Sequence, residues 1–143
     1  GIMRSTDNGE HWEWVISEGG VGIAVEVIEG GFAAISYSEK AKSRTINLSF
    51  DGGETWQGID DGLPPSLSIS SIKQFGNYLL CGHPDGIFRS SDMGKTWSMV
   101  HSAVTNTVVD SAILKMDSGG DKKVFKIYVS GNVLYAVARN FGC

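Results

Sequence analysis

Ser49-Phe50-Asp51-Gly52-Gly53-Glu54-Thr55-Trp56 occurs three times along the chain in variant form. It returns upstream as Ser5-Thr6-Asp7-Asn8-Gly9-Glu10-His11-Trp12. Downstream it is Ser90-Ser91-Asp92-Met93-Gly94-Lys95-Thr96-Trp97, and all three align without gaps. The shared pattern is S-x-D-x-G-x-[TH]-W. The aspartates lie 44 and 41 positions apart (51 − 7 and 92 − 51). The residues are those of a tight reversal. An Asp side chain in a turn accepts hydrogen bonds from backbone N–H groups just ahead. Gly9, Gly53 and Gly94, two positions on, supply the positive φ that the reversal needs. Ser5, Ser49 and Ser90 can satisfy other loop groups through their hydroxyls. Trp12, Trp56 and Trp97 then open the next strand, each expected to bury its ring between neighbouring sheets. Truncating a ring so buried costs roughly 3–5 kcal/mol.

A period in the low forties is the length of one four-stranded propeller blade. The surrounding sequence divides accordingly. One unit reads as strands at 23–28 and 32–37, a polar loop at 38–43, a strand at 44–50, the turn, and 56–59. A second reads as 69–75, a Gly76-Asn77 hairpin, 78–82, a turn at His83-Pro84-Asp85-Gly86, then 87–91, the turn, and 96–100. Residues 124–129, Gly131-Asn132 and 133–138 read as the first two strands of a third unit. Residues 1–16 read as its third and fourth strands, because Gly1-Ile2-Met3-Arg4-Ser5 mirrors Gly86-Ile87-Phe88-Arg89-Ser90. The expectation is one all-β domain over 1–143, with blades at about 20–60, at 69–100, and at 123–143 together with 1–16. Residues 103–118 form an extra connection, with room for a strand at 108–116. Three blades fall short of the 4–8 of closed propellers. The chain is therefore read either as part of a larger propeller or as half of a six-bladed homodimer built by exchange of N-terminal strands.

The repeated turn resembles the Asp-box, or bacterial neuraminidase repeat (BNR), of the sialidase-like β-propellers. Asp-boxes also occur in other glycoside hydrolases, in sortilin-type receptors, in a photosystem assembly factor and in many secreted bacterial proteins. The resemblance implies that the box joins the third and fourth strands of a blade, on the face away from the ligand site. It implies a structural role for Asp7, Asp51 and Asp92, and an extracellular or periplasmic location. A sialidase needs an arginine cluster for its carboxylate substrate. This chain has Arg4, Arg44, Arg89 and Arg139, and Arg4 and Arg89 directly precede boxes. The F/Y-R-I-P segment of sialidases is absent.

Composition narrows the function classes. Lys and Arg number 12 against 16 Asp and Glu, a formal net charge of −4. With no block of like charge, this argues against nucleic acid or an anionic membrane as partner. No apolar run is long enough to span a bilayer as a helix. The 19 glycines and 3 prolines fit many tight turns. Cys81 and Cys143 fit neither a disulfide framework nor a metal knuckle, and no metal or cofactor is expected. The chain carries no G-x-S-x-G, H-E-x-x-H, P-loop or dinucleotide fingerprint.

Binding residues are sought on the loops opposite the boxes. The ligand-binding candidates are Glu26, Tyr37, Arg44, His83, Asp85 and Arg139, with Asp60, Asp61 and Asp110 beside them. The plainer readings are a charge lining a wet channel for Glu26 and turn chemistry for Asp60-Asp61 and His83-Pro84-Asp85-Gly86. The expected function is a non-catalytic propeller module that binds a glycan or a protein. The alternatives are a glycoside hydrolase complete only on assembly, and an assembly factor with a protein partner.

Overall fold

Runs rich in Ile, Val, Tyr and Phe, each halted by a glycine-bearing reversal, favour antiparallel strands over helices. The computed structural model describes residues 1–17, 22–103 and 123–140, and these contain strands and turns with no helix. The hairpin of β1 (Ile2–Arg4) and β2 (Glu13–Ile16) comes first. A meander of β3 (Gly22–Ile28), β4 (Gly31–Ser38), β5 (Ser43–Ser49) and β6 (Gln57–Gly58) follows. A second meander comprises β7 (Ser71–Phe75), β8 (Tyr78–His83), β9 (Gly86–Ser90) and β10 (Ser98–Ser102). A hairpin of β11 (Lys123–Ser130) and β12 (Val133–Asn140) comes last. The expected all-β class of antiparallel, propeller-like sheets is what the chain adopts. Residues 104–122 and 141–143, with the strand expected at 108–116, Asp110 and Cys143, lie outside the described residues.

The two meanders share one register. β3 and β4 open at the pair Ile28–Gly31, and β7 and β8 open at Phe75–Tyr78. The second residue of each following strand, Phe32 or Leu79, stands opposite the serine that starts the box, Ser49 or Ser90. Turn length and box position therefore fix the register of the ladder, since a one-residue slip exchanges the two faces of a strand.

The sheets stack in chain order. Their common core holds Ile35, Ile46, Ile69, Ile72, Leu79 and Cys81, all with at most 1% exposure. Burial pushes the Cys81 thiol above its ordinary pKa. The indole Nε1–H of Trp97 donates to the Ile59 carbonyl (2.6 Å) and crosses between the meanders. The inner strands β3 and β7 are joined by Glu26 and Lys73, 2.5 Å apart. On the first hairpin, Arg4 donates through Nη1 to the Gly52 carbonyl (3.2 Å) of the following sheet. On the last, Ser70 and Ser71 donate their hydroxyls to the Phe125 carbonyl (2.7 and 3.0 Å), and the Ile127 N–H donates to Ser71 Oγ (3.0 Å). Gly82 lies so close to that carbonyl that no side chain fits there.

Ser71 thus satisfies two backbone groups of β11 with one buried hydroxyl. Ser71→Ala leaves both without that partner and is expected to cost about 1–3 kcal/mol. A urea unfolding curve will show a lowered midpoint with an unchanged slope.

Candidate functional site

The three boxes are built alike. In each, the serine hydroxyl donates to Oδ1 of the aspartate: Ser5 to Asp7 (2.8 Å), Ser49 to Asp51 (2.8 Å) and Ser90 to Asp92 (2.7 Å). The same hydroxyl accepts the N–H of Gly9, Gly53 or Gly94, at 2.9, 2.9 and 2.8 Å. Four residues beyond the aspartate, the N–H of His11, Thr55 or Thr96 returns to Oδ1 at 2.9, 3.0 and 2.9 Å. The second carboxylate oxygen accepts from Thr55 Oγ1 (2.5 Å) and Thr96 Oγ1 (2.7 Å), and in the first box from His11 Nδ1 (2.5 Å). An imidazole therefore replaces a hydroxyl with the turn intact.

Two consecutive residues of each turn are left-handed, not the glycine alone. Asn8, Gly52 and Met93 have φ of 61°, 75° and 55°, ahead of 89°, 86° and 85° at Gly9, Gly53 and Gly94. For Met93 this conformation is uncommon, and the carboxylate-centred network is what holds it. The carboxylates are held well below the usual range. The main cause for Asp51 and Asp92 is the threonine hydroxyl, and Asp92 falls to about 2. For Asp7 it is the His11 backbone N–H, then the His11 ring. Asp7, Glu10 and His11 also bring three ligand-type atoms within 4.8 Å, at the exposed surface. Both Asp7 oxygens already accept bonds inside the turn.

The expected burial of the box tryptophans holds at Trp97, which is 7% exposed, but not at Trp12, which is 58% exposed. Trp56 is half-buried. Trp12 and Trp56 donate Nε1–H to Gly9 and Gly53 of their own turns. Ring burial needs a preceding sheet to cover it, and β1–β2 has none among the described residues.

At the opposite end of the first meander, β4 and β5 open a cleft of about 500 Å³ beside their connection. Tyr37 lines it together with Ser36, Lys40, Thr45, Asn47 and Asp60. Asn47 donates through Nδ2 to Ser36 Oγ (3.1 Å). Asp60 also borders a second cleft, of about 490 Å³, with Asp61 and Lys95. Of the sequence candidates, the first cleft gathers Tyr37 and Asp60.

Glu26, Arg44 and His83 make contacts within the protein. Glu26 pairs with Lys73. Arg44 donates Nη1–H to the Ile69 carbonyl (2.8 Å), and burial lowers its pKa. His83 is 1% exposed. Its Nε2–H donates to the Pro64 carbonyl (2.9 Å), while Nδ1 accepts the Asp85 N–H (3.1 Å). Arg44 and His83 thereby pin the 59–70 connection between the meanders. Asp85 is exposed beside His83, and Arg139 is exposed on β12. Sequence reasoning did not single out Ser36, Thr45 and Asn47. Their one signal is a set of polar residues inside otherwise apolar strands.

Comparison with known families finds a match to the BNR/Asp-box repeat over residues 48–57. The chain carries an Asp-box repeat. That match coincides with the end of β5 and the turn centred on Asp51, and the Asp-boxes at Asp7 and Asp92 have the same hydrogen bonds. No curated protein and no solved structure matches the chain. No helix among the described residues is long and apolar enough to cross a membrane.

Each Asp-box titrates with a defined sign. The folded pKa of Asp92 lies at about 2, below its ordinary 3.8. Its contribution to stability is therefore complete above the unfolded value and lost as pH falls through the folded one. Asp92→Asn is expected to melt below the wild type at pH 7. The gap should close between about pH 4 and pH 2, as followed by circular dichroism.

Proposed function

We propose that the chain is a non-catalytic Asp-box propeller module, exported to an extracellular or periplasmic location. It binds a glycan through the face opposite its boxes. The observation that carries this reading is the cleft at Tyr37, which hydroxyl, amide, carboxylate and ammonium groups line together with one aromatic residue. A sugar offers matching hydroxyls and an apolar C–H face for such a ring, and a cleft of this volume suits one or two sugar units. The contacts of Glu26, Arg44 and His83 support a non-catalytic reading, because those groups already have partners within the protein. In the same reading, β1–β2 and β11–β12 are half-blades, each completed by further strands of a larger propeller or of a second copy.

A glycan array probed with the intact chain tests the binding reading. Defined glycans should bind, and Tyr37→Ala should weaken binding roughly tenfold or more with the circular dichroism spectrum of the folded chain retained. Turnover of aryl glycosides or sialic-acid substrates, abolished by Asp60→Asn, would replace it with a hydrolase. An empty array with a single stoichiometric protein partner would replace it with an assembly role.

A further inference from the structure

The short strand β6 ends on a residue with no side chain. Gly58 stands opposite Asn47 in the β5–β6 ladder. A side chain built at Gly58 would meet two atoms, Asp60 Oδ1 (3.6 Å) and Asn47 Oδ1 (3.8 Å). Asn47 directs its Nδ2 to Ser36 Oγ (3.1 Å), which leaves its Oδ1 on the side of Gly58. Two acceptor oxygens therefore flank a gap over bare backbone. Gly58 is not left-handed, so its backbone does not itself call for glycine.

This gap is where the two clefts meet. Gly58 and Asp60 line the Tyr37 cleft and also the second cleft. From there the second cleft continues past Asp61 to Gly94 and Lys95 of the third Asp-box. Lys95 occupies the turn position that Glu10 and Glu54 hold in the other two boxes. The third box thus places an ammonium donor beside the carboxylates of Asp60 and Asp61, where the other boxes carry an acceptor. Donors and acceptors line both clefts, and the path between them crosses Gly58. It begins on the loop side at Tyr37 and reaches beyond it to the third box.

We propose that the two clefts form one groove, and that its ligand is a stretch of a linear glycan chain lying across Gly58 rather than a single terminal sugar. The proposal rests on the glycan reading above and adds the form of the ligand. Asp60 Oδ1 and Asn47 Oδ1 accept hydroxyls of the sugar unit over Gly58, which takes up the space a side chain would fill. Each cleft alone suits one or two units, so the joined groove suits about two to four. Affinity therefore grows with chain length until both clefts are filled.

Calorimetry with cello-, xylo-, malto- and chito-oligosaccharides of one to six units tests this. A series that binds should gain about tenfold or more in affinity from two units to four, and little beyond. Tyr37→Ala should weaken every length. Gly58→Val fills the gap and should bring four units down to the affinity of two. Lys95→Glu installs the residue that the same turn already carries at Glu10 and Glu54, so the fold is kept. It should weaken four units about threefold or more and leave two units unchanged. Circular dichroism checks that each variant is folded. Equal affinity for two and four units overturns the joined groove and leaves a glycan site at Tyr37 standing. A length dependence that persists in folded Gly58→Val or in Lys95→Glu overturns the path over Gly58. Glycans bound on the array while all four series stay silent overturn the linear chain alone. An empty array together with silent series overturns the glycan reading as well.

Discussion

A carboxylate that gathers the loose backbone donors of a reversal is the constraint from which the rest of this structure follows. Between the third and fourth strands the chain must turn through two consecutive left-handed residues, a conformation side chains resist. Asp51 makes the turn singular by accepting from Ser49, from the Thr55 N–H and from the Thr55 hydroxyl at once. A turn fixed in this way fixes the phase of the strands that enter and leave it. Ser49 and Ser90 stand opposite Phe32 and Leu79, so the turn sets the register of β5 against β4 and of β9 against β8.

The second level of order is sheet against sheet, and it relies on a different chemistry. The meanders meet through aliphatic side chains, through one indole that crosses to a neighbouring carbonyl, and through the Glu26–Lys73 pair on the inner strands. The last hairpin is hung from two serine hydroxyls. Charged and polar groups that an isolated view assigns to ligands are here used for alignment. Arg44 and His83 hold the 59–70 connection at Ile69 and Pro64. The groups lining the Tyr37 cleft are mostly hydroxyls and an amide on two adjacent strands.

This division explains what was legible in the sequence. The box could be read because its donors and acceptor lie within seven residues, so spacing alone implies geometry. Even His11 in place of threonine keeps its bond to Asp7. The left-handed Met93 could not be read, because nothing about a methionine announces positive φ. The partners of Arg44 and His83 lie 25 and 19 positions away, so both residues look unengaged until the chain is folded. The cleft was equally hidden. Ser36, Thr45 and Asn47 become neighbours only through the β4–β5 ladder, which sets Ser36 opposite Thr45.

The three tryptophans separate the two levels. Their turns have nearly the same serine–aspartate distance whether the ring is exposed, half-buried or buried. The turn therefore does not depend on burial of the ring that follows it. Burial instead follows place in the row. Trp97 lies on a full meander, Trp56 beside a two-stranded hairpin, and Trp12 beside nothing among the described residues. In a stack of repeats each unit contributes its own local stability and borrows the remainder from its neighbours. The exposure of Trp12 fits that rule, because a repeat buries its tryptophan on the sheet before it and no sheet precedes β1–β2 among the described residues.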